Sequence, residues 1–92
     1  MIQTFHDADT RAVFETGTSL RWKQINKAAS RKLQMLESAS TLHDLKAPPN
    51  NQLEALKRER KGQHSIRINK QFRLCFIWKT DGAYGVEITD YH

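Results

Sequence analysis

Arg67, Arg73, Tyr91 and His92 are the residues of this chain best suited to chemistry on a phosphate. An arginine fork presents paired N–H donors to phosphate oxygens, an imidazole moves protons near neutrality, and a phenol donates a hydrogen bond or a proton. Asp90, directly before Tyr91, is placed to orient an imidazole. A closing Asp-Tyr-His run can equally be a frayed tail; what raises it is a place beside the face that carries the two arginines.

The cations are concentrated. Lys57, Arg58, Arg60, Lys61, Arg67, Lys70 and Arg73 fall in one stretch whose single acid is Glu59. The 92-residue chain has a formal net charge of +5, so this stretch supplies the positive field and the remainder is close to neutral. Such a footprint fits a polyanion such as RNA, and a solvated basic turn that keeps the protein soluble is the plain alternative. Other chemistries find little support. His6, His43, His64 and His92 lack metal-ligand spacing, the glycines form no phosphate-binding loop, and no Gly-x-Ser-x-Gly turn accompanies a serine nucleophile. Neither a metal nor a cofactor is expected. Cys75 has no partner for an internal disulfide, which suits a reducing compartment, and its mid-strand place suits a structural role. The longest apolar run, Phe76-Ile77-Trp78, is far too short to cross a membrane, and the first residues lack the layout of an export signal, so no membrane association and a cytoplasmic location are expected.

These residues need a frame. A chain of this length predicts one domain over residues 1–92. Met1 to Phe5 suits a short strand, and Asp7 can cap a helix over Ala8 to Thr16 that Gly17 stops. Thr18 or Ser19 can cap a longer helix whose apolar positions Trp22, Ile25, Ala29, Leu33 and Leu36 step by three or four along one face. Pro48 and Pro49 end any helical continuation, leaving Thr41 to Gln52 as a connector. From Gln63 the period changes to two. Ile66 and Ile68 alternate with Ser65 and Arg67; Phe72, Leu74, Phe76 and Trp78 alternate with Arg73, Cys75 and Ile77; Tyr84, Val86 and Ile88 alternate with Gly85, Glu87 and Thr89. Tight turns at Asn69-Lys70 and Asp81-Gly82 make these three strands an antiparallel meander, with the long helix seated on its apolar face. The fold class is therefore α+β, in two layers. Arg67, Arg73 and Tyr91 then point to the opposite face, beside the loop bearing Lys57, Arg58, Arg60 and Lys61. An ion pair of Arg67 with Glu87 across the sheet, binding nothing, is the competing arrangement.

In its order of elements the chain resembles the RelE superfamily of bacterial toxins. Gly62-Gln63-His64-Ser65-Ile66-Arg67-Ile68-Asn69, Phe72-Arg73-Leu74-Cys75-Phe76 and Glu87-Ile88-Thr89-Asp90-Tyr91-His92 are similar to the HigB branch, the plasmid-maintenance killer proteins. Arg31-Lys32-Leu33 and Asn51-Gln52-Leu53-Glu54-Ala55-Leu56 are similar to a chromosomal toxin of that branch.

The resemblance implies a RelE-like fold and a type II toxin that cleaves messenger RNA in the ribosomal A site without a metal. Its partners would be the ribosome, messenger RNA and a HigA-type helix-turn-helix antitoxin, with operator DNA reached only through that antitoxin. Carried over by position, Arg73 matches the family arginine at the scissile phosphate, and Asp90, Tyr91 and His92 match the C-terminal catalytic positions. Where some family members have a histidine before Pro-Leu, this chain has Glu54 before Ala55-Leu56, so Glu54 is a candidate additional base. Lys57, Arg58, Arg60, Lys61, Arg67 and Lys70 would hold RNA. A module that docks on RNA or the ribosome, and inhibits translation or assembly without cleaving, is the competing reading.

Overall fold

A computed structural model describes residues 1–90; among them two α-helices lie on one face of a four-stranded antiparallel sheet. Helix α1 is Ala8–Thr16 and α2 is Asn26–Ser38, while the strands are β1 Glu54–Ala55, β2 His64–Arg67, β3 Phe72–Lys79 and β4 Gly82–Asp90, in spatial order β1-β2-β3-β4. The two-layer α+β expectation and the closing meander are as the sequence predicts.

Helix α1 starts where Asp7 Oδ1 accepts the Thr10 N–H at 2.7 Å, and it stops at Gly17, whose N–H donates to the Val13 carbonyl at 2.9 Å. The Thr10 hydroxyl accepts the Ile88 N–H at 3.1 Å, which ties α1 to β4. Helix α2 begins later than its apolar stripe predicts, and neither Thr18 nor Ser19 caps it. Asn26 supplies the reason. Its side chain accepts the Ser19 N–H at 3.1 Å and donates to the Ser19 carbonyl at 3.4 Å, and the Trp22 N–H bonds that same carbonyl. Local bonds of this kind compete with a helical ladder, so the chain from Ser19 to Ile25 folds as successive turns. The stripe still reaches the core, because Trp22, Ile25, Ala29, Leu33 and Leu36 are all buried.

Ile66, Leu74, Phe76, Val86 and Ile88 bury the sheet's side of that core. Tyr84 departs from the alternation. The register runs Cys75 to Glu87 and then Ile77 to Tyr84, so β4 spends one extra residue where Gly85 takes φ +59°. This bulge flips the face, burying Ala83 and turning Tyr84 outward, where its hydroxyl donates to Asp81 Oδ2 at 2.6 Å. The N-terminal segment is correspondingly less than a full strand: it runs parallel to β4 through isolated bridges at Ile2–Ala83 and Phe5–Val86.

Candidate active site

The connector predicted at Thr41 to Gln52 is organised by its polar groups into two 3₁₀ turns, Leu42–Leu45 and Pro49–Asn51. Asn51 is fully buried, donates to the Leu45 carbonyl at 3.0 Å, and accepts a hydrogen bond from Lys32 Nζ on α2. Gln52 follows in the left-handed region, at φ 45° and ψ 55°, and turns the chain back to the sheet, where β1 pairs with β2 as an edge strand. The face that carries Ser65 and Arg73 is not the open surface the alternation predicts, for Ser65 is fully buried and Arg73 only 9% exposed.

Arg73 is held on several sides. Its Nε donates to Ser65 Oγ at 2.7 Å, and its Nη2 donates to the Gln52 carbonyl and, at 3.3 Å, to the Ser65 carbonyl. Glu54 Oε1 stands 3.8 Å from Nε. The guanidinium opens into a cleft of about 390 Å³ lined by Gln52, Arg67, Asn69, Lys70 and Arg73. Arg67 lies opposite Arg73 in the strand register and donates from Nε to the Asn69 carbonyl at 3.1 Å. Asn69 shapes the turn itself: its Oδ1 accepts the N–H groups of Gln71 and Phe72, each at 2.8 Å. Asp90 pairs in register with Phe72 and accepts a hydrogen bond from Gln71 Nε2 at 3.0 Å, which sets it at the same end of the sheet. Tyr91 and His92 lie outside the described residues.

The cations divide into two groups. Lys57, Arg58 and Lys61 are exposed around a 3₁₀ turn at Arg58–Arg60. Arg60 turns back to the sheet, where its Nη1 meets Glu87 Oε1 at 3.1 Å and Gln63 Oε1 at 3.2 Å. It lines a separate cleft, of about 360 Å³, with His6 and Glu87. Glu87 thus pairs with Arg60 and stands 3.5 Å from His6, rather than with Arg67. Cys75 is fully buried between the two regions, and burial pushes its thiol above the usual range. Burial first, and then the charges of Arg31 and Arg67, hold the Lys32 ammonium below the usual lysine range.

Of the residues the sequence singles out, Arg73, Arg67 and Lys70 line one cleft and Glu54 stands beside Arg73, while Ser65, Asn51 and Gln52 are missed. A serine between Gln63-His64 and Ile66 carries no visible signal, since alternation predicts only that it shares the face of Arg67.

A cleft of cations around a buried arginine, with a carboxylate at its edge, is an arrangement for a phosphate and a proton acceptor. The profile of a family described as the RelE-like toxin of the type II toxin-antitoxin system HigB matches residues 3–92. The chain belongs to this HigB-like toxin family. It is 48% identical over 59 residues to Toxin HigB-1 of Vibrio cholerae serotype O1, covering 64% of this chain and 61% of that protein. It is 38% identical over 55 residues to an uncharacterized protein of Haemophilus influenzae, covering 60% and 54% respectively. The matched stretch thus spans somewhat over half the length of each relative. Among the described residues no helix is long and apolar enough to cross a membrane.

Proposed function

We propose that this protein is the toxin of a type II pair and cleaves messenger RNA in the ribosomal A site, halting translation and growth. The observation that carries the reading is Arg73: a buried guanidinium held at the base of a cationic cleft, with Glu54 at 3.8 Å. Fixed donors aimed at a developing phosphorane stabilise it without reorganising, which is where an enzyme gains most.

In the proposed reaction a ribose 2'-oxygen attacks the adjacent phosphorus as its proton passes to a base. The P–O5' bond breaks and the leaving 5'-oxygen takes a proton from an acid, giving a 2',3'-cyclic phosphate and a 5'-hydroxyl. General acid–base groups suffice for this route, without a metal. Arg73 and Arg67 stabilise the phosphate, His92 and Tyr91 handle protons, Asp90 orients them, and Glu54 is an additional base. Lys57, Arg58, Lys61 and Lys70 hold ribosomal RNA; Arg60, tied to Glu87, serves the loop's shape instead. A HigA-type helix-turn-helix antitoxin silences the toxin in the cytoplasm and carries any contact with operator DNA.

The test is incubation of the protein with messenger RNA, alone and on programmed ribosomes, followed by mapping of 5' ends. Cuts only on ribosomes, abolished by Arg73→Ala and by removal of His92, are expected. Ribosome binding with intact RNA would replace the nuclease reading with a docking inhibitor.

A further inference from the structure

We infer that Ser65 is a positioning residue: it acts through Arg73, fixing the plane in which the guanidinium meets the phosphate. The inference rests on the proposal that Arg73 contacts the scissile phosphate, and adds to it the residue that aims the fork.

Ser65 is fully buried in β2, so its hydroxyl is removed from water. A buried hydroxyl is costly unless it is hydrogen-bonded, and a small apolar residue would fill a strand position more cheaply. This one accepts the Arg73 Nε–H at 2.7 Å, while the carbonyl of the same residue accepts from Nη2 at 3.3 Å. Two acceptors on one residue facing Nε and Nη2 define an orientation, where a single acceptor defines only a distance.

Nη2 is braced by a second carbonyl as well. The Gln52 carbonyl that accepts from Nη2 sits on a left-handed residue directly after Asn51. Asn51 is anchored to the Leu45 carbonyl, to Met35 Sδ at 3.0 Å and to Lys32 on α2. Of the buried polar side chains, Asn51, Ser65 and Arg73 therefore belong to one connected set. Glu54 is the competitor. Its carboxylate stands 3.8 Å from Nε, and without the Ser65 hydroxyl its attraction turns the guanidinium toward β1 and out of that plane.

The experiment compares wild type, Ser65→Ala and Ser65→Thr by steady-state cleavage on ribosomes and by the Arg73 Nε–H signal in a 15N-correlated spectrum, assigned by its loss in Arg73→Lys. Small misplacements of a catalytic group cost up to about 10²-fold in rate. Ser65→Ala should lower kcat about 10- to 100-fold, leave KM within about 2-fold, and move the Nε–H signal toward that of a solvated arginine. Ser65→Thr, which keeps the hydroxyl, should recover both. An unmoved signal, a wild-type kcat, or a change confined to KM in Ser65→Ala overturns the inference. If the alanine chain does not fold, Ser65→Cys keeps the volume with a weaker acceptor and should give intermediate values; wild-type values there overturn it too. A wild type that binds ribosomes and cuts nothing would sink the nuclease reading itself, and the Nε–H signal then decides the positioning role alone.

Discussion

Glu54 Oε1 lies 3.8 Å from Arg73 Nε, with the carboxylate side chain 52% exposed and the guanidinium side chain only 11%. A pair so placed adds little to stability, about 0–1 kcal/mol, because water screens its exposed half. In the proposed reaction its value is chemical, a carboxylate beside Arg73 to take the proton. Glu54→Gln keeps the shape and removes the basicity. Cleavage should fall about 10²-fold, with the melting temperature nearly unchanged. A variant that cuts faster than wild type would show that Glu54 merely occupies the phosphate's place.

Arg60 and its neighbours in the basic loop separate by experiment. Lys57 and Lys61 project from the 3₁₀ turn, so Lys57→Ala and Lys61→Ala should each weaken ribosome association and lower its salt dependence by roughly one unit of slope. Arg60→Ala should leave that slope in place. It removes the 3.1 Å partner of Glu87 and should cost about 1–2 kcal/mol in urea unfolding. Equal salt slopes for all three variants in sedimentation would contradict the division.

Gly82 opens β4 at φ +135°, and a Cβ there would lie 1.9 Å from the Met1 carbonyl oxygen. The same carbonyl accepts the Ala83 N–H at 2.9 Å, so it cannot withdraw without releasing the N-terminal segment from the sheet edge. Gly82→Ala should cost at least about 2 kcal/mol, combining the backbone strain with the clash. For a domain of this size the melting temperature should fall by roughly 8 °C or more. Gly17→Ala, where an added Cβ meets nothing within 4 Å, should cost only the left-handed penalty of about 1 kcal/mol. Calorimetry that ranks the two in the reverse order would refute the close-approach account.

What the sequence makes legible is what neighbours along the chain determine. Asp7 and Gly17 bound α1 through bonds that span three or four residues, and alternation assigns Ile66, Leu74 and Phe76 to the core. What escapes depends on distant partners. The late start of α2 rests on Asn26 reaching back to Ser19, and the outward turn of Tyr84 on one bulged residue that reverses the alternation. The cleft is legible in its cations, because Arg67, Lys70 and Arg73 share one hairpin. Its construction is not, because Gln52 meets Arg73 only once Asn51 has been tethered to α2. The pairing of Arg60 with Glu87 is likewise a contact between segments 27 residues apart, which charge counting does not reveal.

Cys75 sits between the Arg73 cleft and the Arg60–Glu87 pair, and burial holds its thiol in the neutral form. The unfolded chain ionises this group at the ordinary thiol value, about 8.5, and the folded chain only at higher pH. Its contribution to stability is therefore complete at neutral pH and is lost as pH rises from the unfolded value through the folded one. Cys75→Ala should flatten that alkaline loss while lowering stability at pH 7 by about 1 kcal/mol for the deleted sulfur. Native protein at pH 7.5 should also resist a thiol reagent, reacting about as fast as it opens, and should react at once in denaturant. Immediate labelling of the native chain would place the thiol at the surface and remove the basis for both expectations.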